Sequence, residues 1–237
     1  MSSAAAAMPA VAERFTPLSR RQMAWRAAQD LQEGMYVNLG IGLPTLVGDF
    51  IPSDREIVLH SENGILGMGP APAPGAADPD LINAGKQPIT LLTGASFVSH
   101  SDSFVIVRGG HLDLCLLGGY QVSVKGDLAN WATPGEKKSP SVGGAMDLAV
   151  GAKEIRVLME HNTKDGEARI VERCTYPLTA AGVVKRLYTN LAVIDFVDDG
   201  LIVREIVDGL SEDELRKRTA APLTIANDCA VLAAPTV

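Results

Sequence analysis

The chain has 237 residues, enough for one full hydrophobic core, with 46% hydrophobic, 21% charged and only 5% aromatic residues. Its formal net charge of −7 weighs against nucleic acid or an anionic membrane surface as the main partner, since both select basic proteins. Any anionic ligand must then meet locally concentrated cations or backbone N–H groups.

Cys115, Cys174 and Cys229 are odd in number and widely spaced. They form neither a disulfide framework nor a C-x-x-C metal pair, and fit reduced thiols in a cytoplasmic protein. No apolar run reaches the ~18 residues that span a bilayer. Residues 1–12 are small and apolar but lack the preceding basic region of an export signal. The expected organisation is a flexible N-terminal tail over 1–16 and one domain over 17–237.

Along the chain, Ser19 with Gln22 forms a capping-box pattern, followed by Met23, Ala27, Ala28 and Leu31 at helical spacing. Gly34 stops this helix. A strand over 35–39 leads into Gly40-Ile-Gly42 and a short helix from Pro44 to Phe50. A second strand over 56–60 runs into Ser61-Glu62-Asn63-Gly64. The segment Gly67–Pro79 holds Pro70, Pro72 and Pro74 and reads as an extended surface loop, expected beside Glu62 because it follows it directly. Further elements are strands over 89–92, 112–117 and 155–159, a helix from Ser101 to Arg108, and a helix opening at Gly143-Gly144. A hairpin joins 191–196 to 201–206 around Asp198-Asp199-Gly200, and a charged helix over 212–218 is opened by Ser211 and Glu214. Val/Ile/Leu-rich strands alternating with helices predict an α/β fold: a layered, open, mostly parallel but mixed sheet covered by helices, with the hairpin as its antiparallel edge.

Glu62 closes an apolar strand, and ligands of open α/β sheets collect outside the carboxyl ends of strands. The plain alternative is a surface turn residue. Gly40 and Gly42, and likewise Gly143 and Gly144, precede helices where N–H groups meet anions; tight backbone packing explains each pair equally well. His60, His100, His111 and His161 show no metal-ligand spacing and read as structural, although His60 and His111 adjoin candidate loops. No G-x-S-x-G elbow is present.

Six strings, in order, resemble the β subunit of family I 3-oxoacid CoA-transferases over residues ~18 to 225. They are Val37-Asn-Leu-Gly-Ile-Gly-Leu-Pro44, Ser61-Glu-Asn-Gly-Ile-Leu-Gly-Met-Gly-Pro70, Asp80-Leu-Ile-Asn-Ala-Gly-Lys-Gln87, Arg108-Gly-Gly-His-Leu-Asp113, Gly126-Asp-Leu-Ala-Asn-Trp131 and Val142-Gly-Gly-Ala-Met-Asp-Leu148. Leu59-His-Ser-Glu62, Pro70-Ala-Pro-Ala-Pro-Gly75, Ser99-His-Ser-Asp-Ser-Phe104 and Gln121-Val-Ser-Val-Lys-Gly126 are closest to members acting on 3-oxoadipate.

The resemblance implies that Glu62 attacks a succinyl-CoA thioester and passes through an anhydride to a glutamyl-CoA thioester, which a 3-oxoacid then discharges. It implies oxyanion or substrate contacts from Asn38, Gly40, Gly42, Asn63, Gly64, Gly143 and Gly144. No permanently bound cofactor is expected, and no metal; coenzyme A enters as a substrate thioester. The implied partner is a CoA-transferase α subunit, in a heterodimer or α2β2 heterotetramer, with no nucleic acid and no membrane. Three competing readings remain: an acetoacetate or other short 3-oxoacid transferase, a sugar-phosphate isomerase of related fold, and a non-catalytic subunit.

Overall fold

A computed structural model describes residues 15–134 and 142–237. Residues 1–14 of the expected tail, and residues 135–141, lie outside them. Phe15, assigned to the tail from the sequence, packs against the core with the Arg218 guanidinium 5.2 Å from its ring centre.

Helix α1 (Arg20–Gln29) starts as its sequence dictates. Ser19 Oγ accepts the Gln22 N–H and Gln22 Oε1 accepts the Ser19 N–H, so two donors orphaned by the helix end are satisfied. Met23, Ala24, Ala27 and Ala28 form its buried side. Strand β1 (Tyr36–Leu39) is followed by a 3-10 helix, Pro44–Phe50, whose first residue is the proline that needs no N–H partner.

Strand β2 (Val58–Ser61) reverses through Glu62-Asn63-Gly64 into β3 (Ile65–Met68). Next come β4 (Leu91–Phe97) and α2 (His100–Arg108). Ser99, not Ser101, caps α2, its Oγ accepting the Asp102 N–H at 3.0 Å. Strand β5 (Leu114–Gly118) is buried along its apolar run. The chain continues through β6 (Gln121–Ser123), β7 (Leu128–Ala129), α3 (Ala145–Gly151), β8 (Glu154–Leu158) and β9 (Ile170–Val171). It ends with β10 (Val184–Tyr188), β11 (Ala192–Val197), β12 (Gly200–Val207), α4 (Glu212–Lys217) and β13 (Leu223–Leu232).

Among the described residues, ten strands form one mixed sheet in the order β13-β12-β11-β10-β8-β5-β1-β2-β3-β4, flanked by helices. Its centre, β10-β8-β5-β1-β2, is parallel, and the antiparallel pairings lie to either side. The expected hairpin is β11–β12, but it is not the edge: β13 adds parallel to β12 outside it. Strand β13 mixes Asn227 and Asp228 with small residues and lies mostly at the surface, so it carries no regular apolar alternation for a sequence reading to detect. From β1 the chain passes to β2 on one side and later to β5 on the other. Strand order thus reverses between β1 and β5, the position where open α/β sheets leave a crevice at their carboxyl ends.

A charged network ties α1 to the far half of the sheet. Arg26 pairs with Asp30 and Glu205, and Arg186 bridges Asp30 and Asp195.

Candidate active site

Glu62 follows the last residue of β2 and is half-buried. Its turn depends on one glycine. The Gly64 N–H donates to Ser61 O at 2.9 Å, Gly64 has φ +113°, and a Cβ there would lie 2.2 Å from the Val98 carbonyl oxygen. Only glycine combines that dihedral with that approach. The Glu62 main-chain carbonyl accepts from His100 Nδ1 at 3.0 Å, which ties the turn to the start of α2.

A polar row crosses the sheet beneath the carboxylate. Cys115, Asn38 and His60 are register partners on β5, β1 and β2, so their side chains share one face. All three are buried. Asn38 Nδ2 donates to Glu62 Oε2 at 3.1 Å, and lies 3.1 Å from His60 Nδ1 and 3.2 Å from the His60 carbonyl oxygen. Cys115 Sγ donates to Asn38 Oδ1 at 3.5 Å, so the amide has its nitrogen toward the carboxylate.

A donor facing Nδ1 makes that nitrogen the acceptor and leaves the imidazole proton on Nε2, which donates to Ser103 Oγ at 2.8 Å. Burial holds His60 below the usual imidazole range, against the opposing pull of Glu62. Burial, reinforced by Glu62, pushes the Cys115 thiol far up. Both groups are therefore neutral, and the carboxylate faces an oriented amide dipole rather than a counter-ion.

Glu62 opens into a cleft of about 770 Å³. Gly40–Leu43 after β1, Leu117–Tyr120 at the end of β5, and Leu158–Glu160 at the end of β8 line it, with Asn130, Trp131, Val142 and Ala145. The glycines divide by role. Gly40 donates its N–H to Leu116 O at 2.8 Å, and a Cβ would sit 3.0 Å from that oxygen. It allows β1 to approach β5 and has no free N–H to offer a ligand. Gly64 likewise spends its N–H within the turn. Gly42, at φ +95° with open space around a hypothetical Cβ, shapes the cleft wall.

Gly143 and Gly144 sit between the cleft residues Val142 and Ala145. A Cβ on Gly144 would meet the Phe104 ring at 2.7 Å, so this glycine serves the packing of α2 on α3. The Asn63 side chain donates to Ile82 O at 2.7 Å, and the Ala84 N–H donates to Ser61 Oγ at 3.0 Å. Asp80–Gln87 thus returns to the Glu62 turn.

The Gly67–Pro79 loop does not lie beside Glu62. Antiparallel β3 carries the chain back along β2, and Pro70–Gly75 line a separate cleft with Glu56, Ile57 and Arg55, near the amino end of β2. Sequence reading also leaves His60 and Ser103 outside the site. Period-two spacing does put His60 on the face of Glu62; Ser103 reaches it only through the docking of α2.

A family model described as coenzyme A transferase matches residues 20–218. The B-type subunit of the 3-oxoadipate CoA-transferase of Pseudomonas putida is 59% identical over 206 residues, 87% of this chain and 96% of that one. The B-type subunit of the succinyl-CoA:3-ketoacid coenzyme A transferase of Helicobacter pylori is 51% identical over 200 residues, covering 84% and 96%. The β subunit of the acetate CoA-transferase of Escherichia coli is 47% identical over 210 residues, covering 89% and 95%.

Two solved structures share the fold. Glutaconate coenzyme A-transferase of Acidaminococcus fermentans superposes with a TM-score of 0.67 at 16% identity, over 94% of this chain and 92% of that chain. The acyl-CoA transferase YdiF of Escherichia coli O157:H7 superposes with a TM-score of 0.72 at 19% identity, over 90% of this chain but 42% of that longer one. The chain belongs to the coenzyme A transferase family and is similar over most of its length to B-type subunits, whose naming implies a second subunit.

Proposed function

We propose that this chain, assembled with an A-type partner, moves coenzyme A from succinyl-CoA to a 3-oxoacid, 3-oxoadipate foremost, through a thioester on Glu62. The observation that carries this is the Glu62 carboxylate, opening into the cleft while Asn38 Nδ2 holds its Oε2. The choice of acid follows the 59%-identical relative named for 3-oxoadipate. Relatives at about 50% identity are named for 3-ketoacids as a class, which keeps acetoacetate as the second candidate.

In the first half-reaction the Glu62 carboxylate attacks the thioester carbonyl, and the C–S bond breaks as coenzyme A leaves as thiolate. The thiolate then attacks the Glu62 Cδ of the mixed anhydride, releasing succinate and leaving glutamyl-CoA. The 3-oxoacid carboxylate attacks that thioester and expels thiolate, which takes the acyl group from the second anhydride and regenerates Glu62. Electrons and charge balance with no proton transfer, so no general base is required. In the second and third steps the oxyanion forms on a Glu62 oxygen. Asn38 Nδ2 already stands at 3.1 Å from that position, and a preorganised donor of this kind contributes about 3 kcal/mol.

Glu62→Gln keeps the shape and removes the nucleophile. The assembled complex should keep its stoichiometry and lose transfer by at least about 10⁴-fold. Transfer at the wild-type rate would rule the reading out and favour a non-catalytic subunit.

A further inference from the structure

The cleft that holds Glu62 also holds three cationic side chains, Arg20, Lys164 and Arg169, for which the described residues supply no acidic partner. In a chain of net charge −7 this is a local reversal of sign, moderated by one further carboxylate, Glu160. Unpaired cations gathered at a cleft wall are the arrangement an anionic ligand needs.

Lys164 and Arg169 belong to one segment that leaves the carboxyl end of β8, and the backbone of that segment is fixed. His161 is fully buried, its ring nitrogens 3.0 Å from Thr189 Oγ1 and 2.9 Å from Thr219 Oγ1. Asn162 Nδ2 donates to Arg218 O at 2.8 Å, and Thr163 and Glu167 close the turn through Thr163 N–H to Glu167 O at 2.8 Å. The Arg169 N–H donates to His161 O at 3.2 Å, and its carbonyl accepts from Val122 N–H at 3.0 Å. Both long side chains therefore start from anchored positions, which lowers the entropy lost when they bind.

Sheet order separates the strand that leads to this segment from the strand that leads to the nucleophile. β8 and β2 are separated by β5 and β1, three strand spacings or about 14 Å. Among the described residues, no ion pair joins Arg169 or Lys164 to Glu62, although all three line one cleft. This arrangement suits a diacid whose reacting carboxylate is joined to Glu62 as the mixed anhydride while its second carboxylate, at the far end of the chain, meets an extended cationic side chain. Resting on the proposed transfer reaction, we infer that Arg169 and Lys164 bind the distal carboxylate of a dicarboxylic acyl group, with Arg20 lining the same cleft. The subsite selects diacids over monoacids of equal length. Arginine suits the task because its planar fork pairs both carboxylate oxygens.

The test uses the assembled complex with coenzyme A preloaded from succinyl-CoA, discharged either by 3-oxoadipate or by 3-oxohexanoate, which has the same length and no distal carboxylate. Arg169→Gln and Lys164→Gln should each lower kcat/KM for 3-oxoadipate about 10- to 100-fold more than for 3-oxohexanoate. Arg169→Lys should recover part of that preference. An equal fall for both acids, or a raised KM for the acyl-CoA donor alone, would overturn the assignment and show that the cations serve coenzyme A phosphates or the fold. No change in preference would overturn it as well. A wild-type complex that discharges to neither acid would instead defeat the transfer reading itself.

Discussion

Asn38 Nδ2 lies 3.1 Å from Glu62 Oε2 and 3.1 Å from His60 Nδ1, so one buried amide connects the carboxylate to a neutral imidazole whose other nitrogen is fixed by Ser103. Rotation of the Asn38 amide would present Oδ1 to the carboxylate and replace attraction with repulsion. Its orientation is held from both ends, by the Cys115 thiol on Oδ1 and by His60 on Nδ2.

His60 is therefore expected to act on catalysis through Asn38, and an acceptor at position 60 matters more than the ring. His60→Leu removes the imidazole partner of Asn38 and of the buried Ser103 hydroxyl, at a cost of about 1–3 kcal/mol in stability, and should lower kcat about 10- to 100-fold with little change in KM. His60→Gln, whose amide oxygen can accept from Asn38, should recover most of the loss. Steady-state kinetics beside a thermal melt separate this from a purely structural effect. Equal activity in both variants would contradict it.

Gly64→Ala tests the turn. The added Cβ meets the Val98 carbonyl oxygen at 2.2 Å in a dihedral region unfavourable to alanine, so the Glu62 turn must move. Destabilisation of about 2–4 kcal/mol in urea unfolding is expected, together with loss of transfer. Gly42→Ala meets no atom within 4 Å and should show the dihedral cost alone, about 1 kcal/mol.

His161 confers a pH dependence on stability. Burial lowers it from 6.5 to about 4, with Arg218 pushing the same way, so between these values the unfolded chain binds a proton that the folded chain does not. Stability from this group is fully present above pH 6.5 and declines as pH falls toward 4, by about 3 kcal/mol in all. Urea unfolding at pH 7.5 and pH 4.5 should show a smaller acid loss in His161→Gln than in the wild type, even if that variant is less stable at pH 7.5. An identical acid loss would place the sensitivity elsewhere.

The local devices are legible in the sequence. Ser19 and Gln22 announce the start of α1, and Glu62 after an apolar run announces a carboxylate at a strand's carboxyl end. What escapes a sequence reading depends on contacts distant along the chain. The two-residue-offset face of β2 brings His60 into the site, but Ser103 joins it from 43 residues away through the packing of α2. The return of Asp80–Gln87 to the Glu62 turn, and the departure of the proline loop to the other end of β2, both follow from the reversal into β3, a strand too short to signal itself. Strands β10 and β13 escape because polar and small residues interrupt their alternation, and neighbouring strands rather than local propensity hold them.

Mass spectrometry of the chain, purified with its A-type partner and incubated with succinyl-CoA without an acceptor acid, tests the central claim most directly. The expected result is a covalent coenzyme A adduct mapped to Glu62, discharged on adding 3-oxoadipate and absent in Glu62→Gln. An assembled, active complex that carries no adduct on Glu62, or carries it on another residue, would contradict the thioester mechanism.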